Sequence, residues 1–160
     1  MKKLSALLLI LTLIFGGCKI QTPDQYYNNA DNSGELTATF TINCQTAVDY
    51  PGSKVDKPDI LTDFSVNFND GDTVYDALVK VCKLNKIQFE YTGSGDSVYI
   101  KGINYLYEFD CGELSGWEYS VNGKFPSVGC NAYKLSDGDE IKFLYTTDLG
   151  ADIGNKYKGD

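Results

Sequence analysis

The stretch TVYDALVKVCKLN, residues 73–85, decides the fold because it is the chain's one clear helical pattern. Thr73 and Asp76 approximate a capping box at its start, and lysines near its end complement the helix dipole. Its apolar residues fall at i, i+3, i+4, i+7 and i+8, which places them on one face of a helix. They are Val74, Ala77, Leu78, Val81 and Cys82. The stretch therefore predicts an amphipathic helix that packs one face on a sheet.

Strand patterns lie on both sides of this helix. Alternating apolar and polar residues predict strands over residues 36–44 and 64–68 before the helix, and over 140–145 near the end of the chain. Shorter strand patterns occur at 87–92, 97–103, 105–111 and 117–121, and Asn122-Gly123 predicts a tight turn. One helix among many strands predicts an α+β domain in which the helix covers one face of the sheet.

The N-terminus has the layout of a signal peptide. Two lysines precede an apolar run from Leu4 to Phe15, and Gly16-Gly17-Cys18 follows. The run is shorter than the about 20 apolar residues that a membrane-spanning helix needs. A cysteine directly after two small residues resembles the lipobox of bacterial lipoproteins, whose cysteine is acylated. We therefore predict a signal peptide over residues 1–17 and a lipid anchor on Cys18 that holds the protein on the cell membrane, outside the cytoplasm.

The rest of the chain divides into three parts. Residues 18–35 are polar and without apolar periodicity after Cys18, which predicts a lipidated cysteine followed by a disordered tether. Residues 36–149 amount to one domain's worth of chain. Residues 150–160 are again polar and are expected to form a flexible tail.

The charge of the chain argues against several classes of function. Cleavage before Cys18 removes two of the 14 lysines, which leaves 12 against 22 Asp and Glu residues and a side-chain balance of −10. Such a balance repels nucleic acid, so no nucleic-acid partner is expected. The sequence contains neither histidine nor arginine. Since no Ser-His or Cys-His pair can form, we expect a protein that is not an enzyme and requires no cofactor.

Four cysteines remain once Cys18 is lipidated: Cys44, Cys82, Cys111 and Cys130. An even number in an exported chain suggests disulfide bonds, and four cysteines allow three pairings. The favoured pairs are Cys111 with Cys130, which flank the 117–121 strand, and Cys44 with Cys82, which would tie the first strand to the helix. A four-thiolate zinc site is disfavoured because no CxxC pair occurs. Cys82 can also be a free buried thiol.

Four runs of sequence resemble a bacterial domain-of-unknown-function family that is related to the C-terminal β-domain of transcobalamin and gastric intrinsic factor. They are GDTVYDAL (71–78), GINYLYEFDCG (102–112), SGWEYSVNG (115–123) and LSDGDEI (135–141). The resemblance covers residues 36–149 and implies a β-grasp-like fold of the soluble-ligand-binding type, with one helix on a mixed sheet and additional hairpins. Many relatives carry a cysteine near Thr147, and its absence here leaves the partner of Cys44 open.

The resemblance also implies a ligand-binding face. The stretches that match the carriers' ligand-facing hairpin contain Trp117, Tyr119, Phe125, Pro126 and Tyr133. Asn122 and Asn104 would add amide donors for the carboxamides of a corrin. The carriers clamp their ligand between this domain and a large helical domain, which this chain lacks. The resemblance thus implies a single domain that binds cobalamin, another corrinoid or a similar small molecule for a partner transporter.

Other interpretations of the same residues stay open. Trp117 and Tyr119 alternate on a strand, so they can belong to the core, and Asn122 belongs first to a turn. Acidic residues flank glycines in two turns, where they either hydrogen-bond the backbone or bind a divalent cation. They are Asp70, Asp72, Asp137 and Asp139. The alternative functions are a module for protein or glycan interaction, or a divalent-metal-binding domain, although no particular metal ligands are assigned.

Overall fold

The structure is a computed structural model that describes residues 27–28, 30–95 and 97–155. The predicted signal peptide, the lipid anchor on Cys18 and the first part of the predicted tether lie outside the described residues. Within the described part of the chain, no helix has the length and apolar character to cross a membrane.

Between residues 30 and 155, the described residues form seven strands, two α-helices and a short 3-10 helix. In chain order they are β1 (Leu36–Asn43), α1 (Gln45–Asp49), β2 (Asp59–Phe68), α2 (Val74–Asn85), β3 (Phe89–Thr92), β4 (Tyr99–Ile103), β5 (Leu106–Tyr107), β6 (Gly116–Val121), β7 (Glu140–Thr146) and the 3-10 helix (Ala151–Ile153). The predicted α+β class is confirmed. Helix α1 was not predicted, and the strand predicted over 105–111 is reduced to the two residues of β5.

Four strands make a mixed sheet in the order β2-β1-β7-β6. Strand β1 pairs antiparallel with β2 and parallel with β7, and β6 pairs antiparallel with β7. Strands β3, β4 and β5 form a separate antiparallel sheet, whose strand β4 contacts β6. Strand β6 is therefore an edge of the larger sheet, and the smaller sheet lies close to it.

Helix α2 forms as the sequence predicts. The Thr73 hydroxyl accepts a hydrogen bond from the Asp76 N–H (3.2 Å), and the Asp76 carboxylate accepts one from the Thr73 N–H (2.8 Å), so the capping box is confirmed. Its five stripe residues are all buried, with at most 2% exposure. They join the buried strand residues Ala38, Phe40, Ile42, Val66, Phe68, Ile141, Phe143 and Tyr145 in one core.

The segments that flank the domain are fixed where they are described. Along β2, the Asn32 amide donates to the Ser65 carbonyl (3.2 Å) and accepts from the Asn67 N–H (2.8 Å), so the end of the predicted tether packs on the sheet. Residues 150–155 were predicted as the start of a flexible tail. The structure has the 3-10 helix there, and the Asp152 carboxylate accepts hydrogen bonds from the Thr147 N–H (2.8 Å) and hydroxyl (2.9 Å).

Candidate functional site: an apolar cleft at the edge of β6

A cleft of about 550 Å³ lies along the outer edge of β6. Besides β6, its walls come from the start of β4, the loop 109–115, the loop 125–130, Phe143 and Thr146 of β7, and Leu149 and Asn155 near the end of the described chain. The volume is within the range of about 300–1,000 Å³ that small-molecule sites occupy. The cleft is therefore large enough to hold a sizeable part of a small organic ligand.

The rim of the cleft exposes large apolar side chains. Seven large apolar side chains of the described residues are exposed, and five of them line the cleft. These five, which we call the apolar rim, are Tyr99 (45% exposed), Phe109 (62%), Leu114 (46%), Val128 (47%) and Leu149 (58%). Large exposed apolar patches on proteins are characteristic of interaction sites. The apolar rim is thus the first indication that the cleft binds something.

Two residues of the apolar rim have a strained backbone. Phe109 has φ 69° and Leu149 has φ 46°, in the left-handed region that bulky residues avoid at a cost of about 1 kcal/mol each. The Phe109 N–H donates to the Ser115 carbonyl and the Leu149 N–H to the Leu114 carbonyl, both at 3.1 Å, and these bonds hold the conformation. Glycine or asparagine would suit both positions better for stability alone. The bulky side chains therefore point to a role other than stability.

The outer edge of β6 offers main-chain hydrogen-bonding groups to the cleft. The Asn122 N–H donates to the Glu140 carbonyl (2.8 Å). This bond shows which residues along β6 turn their main-chain groups toward β7: Asn122, directly after β6, and, counting back by twos, Ser120, Glu118 and Gly116. Because alternate residues of an antiparallel strand turn their main-chain groups toward the partner strand, those of Trp117 and Tyr119 point away from β7. No hydrogen bond within the described part of the chain reaches these groups. They are available to a ligand.

Trp117 and Tyr119 belong to both the core and the cleft. Trp117 lines the cleft, yet its side chain is only 6% exposed, and its indole N–H donates to the Leu106 carbonyl (2.9 Å). The Tyr119 ring stacks on Phe143 with 5.9 Å between centroids, and its hydroxyl donates to the Val128 carbonyl (2.7 Å). The core interpretation and the site interpretation of these two residues are therefore compatible.

Phe125 and Pro126 also line the cleft, but the other predicted site residues do not. The amide of Asn122 is occupied, since it donates to Asp139 (2.8 Å) and accepts from the Glu140 N–H (2.9 Å). Tyr133 packs edge-to-face against Tyr119, with 6.4 Å between ring centroids. Asn104 lies in the turn between β4 and β5 with φ 52°.

The charged side chains that line the cleft are both carboxylates, Glu113 and Glu118. Asn155 donates from its side-chain amide to Glu118 Oε2 (2.6 Å) and so holds this carboxylate in place. Although the ring of Tyr99 is partly exposed, partial burial of its hydroxyl raises the pKa to about 12, and the hydrogen bond to Glu108 and the charges of Glu108 and Glu118 act in the same direction. This part of the cleft is therefore electronegative.

Sequence reasoning missed the apolar rim. Its members come from distant parts of the chain and follow no shared periodicity. One signal was nevertheless present: Phe109 stands between Glu108 and Asp110, and Leu149 follows Asp148, so each is a large apolar residue inside a polar turn segment.

The four described cysteines are buried free thiols, so the structure lacks both favoured disulfides, Cys111–Cys130 and Cys44–Cys82. The Cys44 thiol donates to the carbonyls of Lys57 (3.4 Å) and Pro58 (3.3 Å), whereas Cys82 lies on the buried face of α2. Burial raises the pKa of Cys44 to about 11 and of Cys82 to about 12. Core packing, which an even cysteine count does not reveal, explains these thiols.

The acidic turns are held by backbone hydrogen bonds. The carboxylates of Asp72, Asp137 and Asp139 accept from the N–H groups of Asn69, Thr37 and Ser136 respectively, each at 2.8 Å. The turn interpretation is confirmed for these three residues. Among the described residues, no three or more Cys, Asp or Glu side chains are grouped so that they would hold a metal ion.

Comparison with protein families finds one match, which covers a little less than half of the chain. Residues 71–147 match the Domain of unknown function DUF4430. This range includes α2, β6, β7 and most of the cleft, and the match agrees with the expected resemblance to a domain-of-unknown-function family over those residues. No curated protein matches the chain.

Two solved structures are similar to this one. The first is haptocorrin in complex with Cbi, with TM-score 0.52 and 16% identity over 74% of this chain and 27% of the haptocorrin chain. The second is a "putative metal binding protein" from Ruminococcus gnavus, with TM-score 0.49 and 14% identity over 70% of this chain and 97% of the other. The match to haptocorrin shows a shared fold, and this chain spans about a quarter of haptocorrin's length.

Proposed function

We propose that this protein is a lipid-anchored binding protein, not an enzyme, whose domain holds a corrinoid in the cleft beside β6. The apolar rim is the observation that carries the proposal. Tyr99, Phe109, Leu114, Val128 and Leu149 expose apolar surface around one cleft, and two of them do so at the expense of backbone strain. Folding gains nothing from this arrangement, whereas a bound ligand would cover the exposed surface.

The chemistry of the cleft suits a flat macrocycle edged with carboxamides. The aromatic rings of Tyr99, Phe109 and Phe125 supply contact area for its faces. The free main-chain groups of Trp117 and Tyr119 supply both donors and acceptors for amides. Asn122 and Asn104 were expected to hydrogen-bond the carboxamides of the ligand. In this proposal the main-chain groups at the outer edge of β6 make those hydrogen bonds.

The comparison with haptocorrin supports the choice of ligand. Haptocorrin was solved in complex with Cbi, which is cobinamide, and a part of it shares the fold of this chain. We assign the shared fold to the β-grasp type, because β1 and the last strand, β7, are parallel neighbours and α2 follows the β1–β2 pair. In this proposal the domain covers one side of the ligand. A membrane transporter, brought close by the lipid on Cys18, would accept the ligand from the open side.

A titration of the mature chain, residues 18–160, with cobinamide tests the proposal. Trp117 is the only tryptophan and lines the cleft, so its fluorescence reports binding together with the visible spectrum of the corrin. We expect both signals to change and to saturate. If neither changes up to about 1 mM cobinamide, a binding free energy of about −4 kcal/mol is not reached and the proposal is wrong.

Matched variants localise the binding. The double variant Phe109→Asn with Leu149→Asn removes two side chains of the apolar rim and relieves their backbone strain, and we expect it to bind at least about tenfold more weakly. Tyr105→Asn is the control, because Tyr105 is also exposed (74%) at positive φ (64°) but lies outside the cleft. Equal weakening by both changes would place the ligand elsewhere.

A further inference from the structure

We infer that the ligand of the cleft carries a positive charge, which it places beside Glu118, and that the cleft excludes anions. The inference rests on the proposed function, since it assumes that the cleft is the ligand site. It adds the charge class of the ligand, which neither the fold nor the apolar rim determines.

The balance of charge around the cleft is the first argument. Glu113 and Glu118 line it, and no lysine of the described residues does. The ion pairs of the described chain are Lys101 with Glu90 and Lys142 with Glu140, so neither cleft carboxylate is neutralised by a described lysine. An anionic ligand would therefore be desolvated next to two carboxylates without a partner, which is strongly unfavourable.

The position of Glu118 is the second argument. It lies on β6 between Trp117 and Tyr119, the two residues whose main-chain groups face the cleft, and it is half-buried. Asn155, itself a cleft residue, bonds Oε2, and no hydrogen bond from the described residues reaches Oε1. Both carboxylate oxygens lie against Gly150, and Oε1 keeps its capacity to accept a hydrogen bond from a cationic group.

The aromatic surroundings give a third argument. The exposed rings of Tyr99 and Phe109 line the same cleft as this carboxylate, and the face of an aromatic ring attracts cations. The mature chain as a whole has a side-chain balance of −10, which draws cations toward the protein and repels anions. The local and the overall fields thus favour the same class of ligand.

Three probes with the same aromatic body and different charge test the inference by calorimetry on residues 18–160. They are 1-naphthylmethylammonium, 1-naphthylmethanol and 1-naphthoate. We expect the ammonium to bind about tenfold more tightly than the alcohol and the carboxylate to bind most weakly, which is the scale of a partly desolvated cation contact. Added salt should weaken the binding of the ammonium probe and leave the binding of the alcohol probe unchanged.

Variants assign the effect to Glu118. Glu118→Gln keeps a side-chain oxygen for the Asn155 bond, and we expect it to lose most of the preference for the ammonium over the alcohol. Glu90→Gln is the control, because Glu90 is an exposed carboxylate outside the cleft. If the carboxylate probe binds as tightly as the ammonium, or if Glu118→Gln keeps the preference, the inference is wrong and the cleft remains a ligand site. If none of the three probes nor cobinamide binds, the proposed function fails as well.

Discussion

The face of the sheet that α2 covers and the outer edge of β6 treat apolar side chains in opposite ways. On the buried face of α2, the side chains of Val74, Leu78 and Val81 have no exposed surface. Thr73 caps the start of this helix. At β6, Phe109 and Leu149 are more than half exposed and have unfavourable backbone angles. The first region is explained by the stability of the fold. The second is not, and our proposal that the edge of β6 is the ligand site rests on this difference.

The largest expected effect separates the two regions by stability. Leu78→Ala removes a fully buried side chain from the face of α2, and we expect the free energy of unfolding to fall by about 3 kcal/mol. Leu114→Ala on the apolar rim should change it by no more than about 0.5 kcal/mol. Urea denaturation measures both. A similar loss for the two variants would remove the distinction between core and rim.

The next largest effect is a loss of stability at alkaline pH, and it concerns the buried face of α2. Burial raises the pKa of Cys82 from 9.0 to about 12, so the folded protein keeps the thiol proton that the unfolded chain releases above pH 9. The contribution of this thiol to the free energy of unfolding is therefore complete below pH 9. It decreases as the pH rises toward 12, by up to about 1.4 kcal/mol per pH unit. Urea denaturation between pH 8 and pH 11 should show the decline.

Cys82→Ala provides the control for the pH effect. It should lessen the decline, while the other buried thiols and the buried tyrosines, whose pKa values are also raised, keep the remainder. If wild type and Cys82→Ala have the same pH dependence from 9 upward, Cys82 does not contribute as its burial requires.

The cap of α2 gives a smaller effect. Thr73→Ala removes the hydroxyl that accepts from the Asp76 N–H and donates to its carboxylate, and we expect a loss of about 1 kcal/mol in the free energy of unfolding. Thr92→Ala, at an exposed strand end, is the control and should cost less. A helix start that tolerates Thr73→Ala without loss would show that packing alone holds α2.

The smallest effect has the opposite sign and concerns the apolar rim. Phe109→Asn relieves the backbone at φ 69°, so the free energy of unfolding should stay the same or rise by up to about 1 kcal/mol. The same change should weaken the binding of cobinamide. Thermal melts and titrations of one preparation measure both quantities. A loss of stability of more than about 1 kcal/mol would show that Phe109 belongs to the packing of the fold.

The sequence predicts those parts of the fold that rest on periodicity. The stripe of α2 and its capping box are visible in residues 73–85, and Asn122-Gly123 correctly predicts the hairpin turn, whose residues have φ 51° and 73°. Helix α1 is only five residues long and lies in a stretch rich in Asp, Pro and Gly, so no periodic signal reveals it. The described part of the tail has structure through local hydrogen bonds to Asp152, which polar composition does not predict.

The site is predicted only where it follows one strand and its hairpin. Trp117, Tyr119, Phe125 and Pro126 are close in sequence and line the cleft together. The apolar rim is assembled by tertiary contacts between segments that are far apart in sequence, so only the folded chain shows it. Asn122 was chosen for its amide, but the structure uses that amide to join the β6 turn to β7.

Chemical-shift mapping by NMR with cobinamide tests the central claim most directly, because it reads both regions in one experiment. If the edge of β6 is the ligand site, the largest chemical-shift changes will be those of the main-chain amides of Trp117 and Tyr119 and of the single indole N–H. The chemical shift of the main-chain amide of Leu78, in α2, will not change. Shifts centred on α2, or no shifts up to about 1 mM cobinamide, would contradict the account.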